Sequence, residues 1–167
     1  MNKRFTKLAA AALAGAIGLT SALVATASPA SAASGTAKIT VSHSAGVGWC
    51  ASMSGYIPMG AYETHGYLNN GAMFSFEVWG DDPIYDDYRY GSPWATQATS
   101  PVAGEVNIFA SSRGIELRGV HCQVNYWLNE DVPGDDEIFA HLMVFKGGGE
   151  GLLADIKTNV VSGSYGF

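Results

Sequence analysis

The chain has 167 residues, 47% of them hydrophobic and 14% charged, with nine basic and fifteen acidic side chains and a net charge of −6. This length suits one domain with a real core, and the acidic balance excludes a nucleic-acid or anionic-membrane surface as its dominant feature. Twenty-one glycines argue against long helices.

Residues 1–32 have the pattern of a cleavable signal peptide. Lys3, Arg4 and Lys7 form a positive start, and Leu8 to Leu19 is an apolar run too short to span a bilayer comfortably. Ser28-Pro29-Ala30-Ser31-Ala32 supplies the small residues that an export peptidase reads, so cleavage is expected after Ala32. No Arg-Arg pair is present, which implies the general secretory (Sec) route. Residues 33–167 are then a single secreted domain, with six basic and fifteen acidic side chains and a net of −9. No later apolar run reaches a transmembrane length, so no membrane association is expected after cleavage. Cys50 and Cys122 are the only cysteines. In an exported chain an even count implies one disulfide. Closing a loop of roughly 70 residues contributes about 4 kcal/mol in the chain-entropy picture.

From Ala37 to His43, Ile39 and Val41 alternate with Lys38, Thr40 and Ser42, the pattern of a half-buried strand. Trp49, Ala51 and Met53 alternate with Cys50, Ser52 and Ser54 in a second strand ending near Ile57. Pro58 to Gly71 is expected to be a long loop, with Asn69-Asn70-Gly71 as a turn. Met73 to Trp79 is a third strand, with Phe74, Phe76 and Val78 on one face. An acidic, tyrosine-rich stretch follows, Asp81 to Tyr90, and then a loop from Gly91 to Pro101 carrying Trp94. Val102 to Ala110 and a strand starting at Ile115 flank a hairpin turn at Ser111-Ser112-Arg113-Gly114. Gly119 is expected to mark a bulge or kink before the strand continues from His121 to Leu128. Ile138 to Phe145 is apolar on both faces apart from His141, which places it mid-sheet. After the glycines of Lys146 to Gly151, Leu152 to Val161 is the last strand, with Leu152, Ala154, Ile156 and Val160 inward. About seven or eight short strands with turns between them define an all-β fold, an antiparallel β-sandwich.

Two loops concentrate carboxylates. Asn129 to Glu137 reads NEDVPGDDE, and Asp81, Asp82, Asp86 and Asp87 lie after the third strand. Simple alternation of strand direction sends both loops to one end of the fold. A hard cation such as Ca²⁺ takes six to eight oxygens, and clustered carboxylates supply them. Asp131, Asp135 and Asp136 are the first candidate ligands, with Asp81 and Asp82 next. In architecture this resembles calcium-binding β-sandwich modules such as C2-type domains, without a motif match. The spacing fits neither an EF-hand nor an RTX repeat. The competing reading is that these are ordinary turn residues.

Trp79, Tyr85, Tyr88, Tyr90 and Trp94 offer a surface for stacking on carbohydrate or on a protein partner, with Tyr88 and Trp94 the chosen contacts. The bland alternative has Trp79 closing one end of the core. His43, His65, His121 and His141 lack zinc-site spacing, and neither HExxH nor GxSxG occurs. No catalytic residue is assigned. The expected function is a secreted, non-enzymatic binding protein with a protein or carbohydrate partner. The alternative is an inhibitor of an extracellular hydrolase presenting the Trp94 loop.

Overall fold

Apolar–polar alternation with period two builds most of this chain. The computed structural model describes residues 34–82, 86–97, 106–123, 127–129 and 135–165. The expected signal peptide, 1–32, lies outside them, as do Glu130 and Asp131. The first hairpin joins β1 (Thr36–Ser44) to β2 (Gly48–Pro58). Ile39, Ala51, Met53 and Ile57 point inward and are buried, while Lys38, Thr40 and Ser54 face solvent.

The expected loop after Pro58 contains a nine-residue helix, α1 (Ala61–Asn69). Only Thr64 and Leu68, one turn apart, are buried on it. Two inward positions leave too weak a helical period to detect in sequence. The Asn-Asn-Gly turn signal marks its end: Gly71 takes a φ of 78°. Its amide donates to the Leu68 carbonyl and that of Ala72 to the Tyr67 carbonyl, a Schellman closure.

Two antiparallel sheets result. The first has the order β1-β2-β7-β6, where β6 is Val106–Ser111 and β7 is Gly114–Gln123. Ser111 pairs with Gly114 across the two-residue turn, and Gly114 has a φ of 139°. A side chain there would run into the Ile57 carbonyl oxygen, so both backbone angle and space demand glycine.

The second sheet is built on β3 (Met73–Gly80) and β8 (Asp136–Phe145). β4 (Asp87–Gly91) and β5 (Ala95–Thr96) line the far side of β3. β9 (Leu152–Lys157) and β10 (Val161–Gly163) line the far side of β8. The mid-sheet place expected for the doubly apolar segment is therefore correct. The described strands number ten against the expected seven or eight. The surplus arises because the acidic tyrosine stretch and the expected Gly91–Pro101 loop each contribute a strand (β4 and β5) and the last expected strand divides. Thr158 makes that division: its hydroxyl accepts the Ala140 amide at 2.8 Å, so the ladder continues through a side chain. A bulge between Val144 and Phe145 shifts the register of β9. It buries Leu153 and leaves Leu152 exposed, reversing the expected orientation of Leu152. Val160, also expected inward, is exposed.

The inner faces share one buried cluster that includes Ile39, Met53, Phe74, Phe76, Leu117, Leu142 and Ile156. Gly119 is not a bulge: it pairs in unbroken register with Met53 on one side and Val106 on the other. Its missing side chain makes room for Phe76 of the facing sheet, whose Cδ1 lies 2.5 Å from where a Cβ would stand. Gly55 does the same for Leu142, at 2.6 Å. At the open edge of β1, the Ile39 amide donates to Asn159 Oδ1 at 3.1 Å, and Asn159 Nδ2 donates back to the Ile39 carbonyl at 3.4 Å. One carboxamide thus occupies a backbone position that would otherwise invite a further strand.

Cys50 and Cys122 form the expected disulfide. They sit directly opposite each other on β2 and β7, with Cα atoms 4.1 Å apart. The bond staples neighbouring strands of one sheet, 72 residues apart in sequence, rather than tying the two sheets together.

Gly119→Ala forces Phe76 to move and should cost about 1–3 kcal/mol in chemical denaturation. Gly66→Ala, in α1 with open space around the new methyl, should be neutral or stabilising by up to about 1 kcal/mol. Reduction of the disulfide should lower stability by about 2–5 kcal/mol.

Candidate functional site

The described residues of both acidic segments that adjoin β3 and β8 lie at one end of the fold, by a route different from simple alternation. β3 and β8 are antiparallel neighbours, so the end of one lies beside the start of the other. The Asp81 amide donates to the Glu137 carbonyl at 2.7 Å. The carboxylates there are largely committed to the fold. Asp81 Oδ1 receives Lys157 Nζ at 3.2 Å. Asp136 is only 1% exposed, and its Oδ2 accepts the Tyr165 amide at 3.3 Å. Among the described residues no three His, Cys, Asp or Glu side chains are grouped to hold a metal ion. Asp82 and Asp135 flank this junction, and Asp131 lies outside the described residues.

Aromatic rings close this same end. Tyr165 packs edge-on against Trp49, with ring centroids 5.3 Å apart. Tyr90 faces inward and stacks on His121 at 3.5 Å, and the Trp127 indole N–H donates to the Trp49 carbonyl at 3.1 Å. These residues do what Trp79 was a candidate to do. Trp79 is turned the other way.

The outer face of the second sheet gathers the remaining distinctive side chains. Glu77, His141 and Lys157 lie side by side on β3, β8 and β9. His141 Nδ1 is 2.7 Å from Asp155 Oδ1, and the Trp79 indole N–H donates to Glu77 Oε2 at 3.3 Å. Lys157 Nζ lies 3.5 Å over the Phe139 ring, which explains how a phenylalanine on an outer face is almost fully covered. To one side of this polar row, along the strands, Trp79 and Tyr88 meet edge to face at 5.4 Å, with Tyr88 56% exposed. To the other side, Trp94 is 50% exposed and stands edge-on to Phe145 at 5.0 Å. Leu152 pairs with Phe145 and extends that apolar end. The Trp94 segment is anchored through Ser92: the Phe76 amide donates to its hydroxyl at 2.9 Å, and its own amide donates to the Phe76 carbonyl at 2.9 Å.

Of the expected contact residues, Tyr88 and Trp94 thus share one face and stand at opposite ends of it, while Tyr90 is inside and Tyr85 lies outside the described residues. Glu77, His141, Asp155 and Lys157 are not among the site residues expected from sequence. Strand register sets Glu77, His141 and Lys157 in one row and Asp155 beside Met143 in the next, which sequence spacing does not reveal. The one available signal was that His141 and Glu77 each interrupt an otherwise apolar strand.

Comparison with protein-family models, curated proteins and solved structures finds no match.

Burial, followed by the Asp136 and Asp135 carboxylates, holds the Tyr165 phenol above its ordinary titration range. A group whose pKa is raised on folding contributes stability that is fully present below its unfolded value, about 10, and is lost as pH rises through the folded value. Stability should therefore fall above about pH 10, and fall less in Tyr165→Phe. Denaturant midpoints measured from pH 8 to 12 check this. Asp136→Ala should destabilise by about 1–3 kcal/mol by orphaning the Tyr165 amide. That loss should be the same in excess calcium and in chelator if capping is the role of the carboxylate; a loss confined to the calcium sample indicates a bound ion.

Proposed function

We propose that this chain is a secreted, non-enzymatic β-sandwich protein that binds carbohydrate through the outer face of its second sheet. The observation that carries the proposal is the placement of two partly exposed aromatic platforms, Trp79–Tyr88 and Trp94–Phe145, on either side of the row that Glu77, His141 and Lys157 form across the strands. Trp79 and Met73, the β3 partner of Phe145, are six residues apart, which at about 3.3 Å per residue separates the platforms by roughly 20 Å. A ligand spanning them is extended. Alternating apolar patches and fixed hydrogen-bonding groups match a sugar chain, whose rings present C–H faces and whose edges present hydroxyls. Trp79, Tyr88 and Phe145 stand on strands and the Trp94 segment is held by Ser92, so little ordering entropy opposes binding.

Secretion rests on the leader pattern and the disulfide. No helix among the described residues is long and apolar enough to cross a membrane.

A second reading, inhibition of an extracellular hydrolase, is favoured by the Trp94 segment, which is exposed yet held to β3 by Ser92. The two separate by mutation. Depletion of the protein from solution by insoluble polysaccharides should weaken at least tenfold, about 1.4 kcal/mol, in both Trp79→Ala and Trp94→Ala. Tyr62→Ala, removing a ring that is 96% exposed on α1, should leave it unchanged. An inhibitor instead loses capture of a hydrolase in Trp94→Ala alone. Retention on polysaccharide that neither tryptophan affects defeats the carbohydrate proposal.

A further inference from the structure

We infer that the outer face of the first sheet carries a second, separate site, one for a small oxyanion such as the carboxylate, sulfate or phosphate group of a ligand. Register sets Lys38, Ser54 and Arg118 in one row across β1, β2 and β7. Tyr56, Glu116 and Phe109 form the next row, on β2, β7 and β6. Arg113 reaches in from the β6–β7 turn. All of these but Phe109 line an open cleft of about 310 Å³.

The charge in this cleft is unbalanced. Arg113 and Arg118 share one carboxylate, Glu116, at 3.4 and 3.9 Å. Lys38 has no carboxylate partner among the described residues. Three cations against one anion leave the cleft at +2 within a chain of net −6. These are three of the six basic residues in 33–167. Elsewhere the pattern differs: Arg89 is answered by Asp87 at 3.4 Å and Lys157 by Asp81 at 3.2 Å.

Stability does not account for this arrangement. Both arginines are about two-thirds exposed, and exposed ion pairs contribute little. Gathering like charges in one place opposes folding slightly. The guanidinium groups are nonetheless held in position. Arg113 lies 4.8 Å over the Tyr56 ring and Arg118 lies 5.1 Å over Phe109. The Tyr56 hydroxyl donates to the Arg113 carbonyl, fixing the turn from which that side chain springs. Oriented guanidinium forks are the groups that bind a planar carboxylate or a tetrahedral oxyanion through paired N–H donors. The volume stands at the lower end for small-molecule sites, and the acidic surroundings repel an extended polyanion. The fitting ligand therefore carries one or two oxyanion groups on an otherwise uncharged body.

The test is a titration of the ¹⁵N-labelled protein at low ionic strength with glucuronate, inorganic sulfate and inorganic phosphate in separate arms. Backbone amides of Ser54, Tyr56 and Arg118 report. A saturable shift with at least one probe is expected, and the arm that saturates at lowest concentration identifies the anion. Arg118→Gln should weaken that binding about tenfold. Lys38→Gln, which breaks no ion pair among the described residues, should weaken it several-fold. Glu116→Gln should tighten it several-fold, because the resident carboxylate competes with the ligand. Failure of all three probes to saturate, or binding that Glu116→Gln and Lys38→Gln leave unchanged, overturns the inference. The site lies on the sheet opposite the carbohydrate face, so loss of polysaccharide binding has no bearing on this result.

Discussion

Two side chains without room of their own align this fold. Phe76 of β3 and Leu142 of β8 enter the space left by Gly119 and Gly55 on the facing sheet. Close packing of that kind tolerates little displacement, so the two sheets are locked in one relative position. β3 and β8 also pair with each other over eight residues, from Met73↔Phe145 to Gly80↔Ile138. Once they are fixed, the shorter strands on either side have only their edges to occupy.

The surface follows from that choice. Side chains alternate along a strand, so the set that fills the core determines the set that faces outward. Committing Phe74, Phe76 and Val78 inward sends Met73, Glu77 and Trp79 outward; committing Leu142 and Val144 inward sends His141, Met143 and Phe145 outward. The aromatic and polar features of the outer face are thus pinned by the core beneath them. The disulfide acts on the other sheet. It joins β2 to β7 beside the end where Trp49, Trp127 and Tyr165 close the interior, and it limits fraying of strands whose partners are far away in sequence.

Much of this was legible in the amino-acid pattern. Period-two alternation located most of the strands, two apolar faces located β8 at mid-sheet, and a single cysteine pair behind an expected leader located the disulfide. What stayed hidden depended on register or on three-dimensional proximity. The bulge that turns Leu152 out and Leu153 in leaves no compositional mark. Gly119 looked like a local kink because its reason for being glycine is a phenylalanine 43 positions earlier in the chain. α1 buries too few residues to show a helical period. The acidic segments were recognisable, but not that Asp136 would be buried as a cap for Tyr165, since that needs the C-terminal segment to return to the start of β8. The basic cleft is built from three residues spread over 81 positions, and no single stretch of sequence shows it.

The four tryptophans divide between the two ends of this account. Trp79 and Trp94 belong to the proposed recognition face, and Trp49 and Trp127 to the closed end of the core. Each indole N–H gives its own resonance, so a titration of the ¹⁵N-labelled protein with soluble cello- and chito-oligosaccharides reports on both sets at once. The account predicts that the Trp79 and Trp94 indole signals shift together and saturate while those of Trp49 and Trp127 stay in place. Movement of the Trp49 and Trp127 signals alone, or of none of the four, contradicts it.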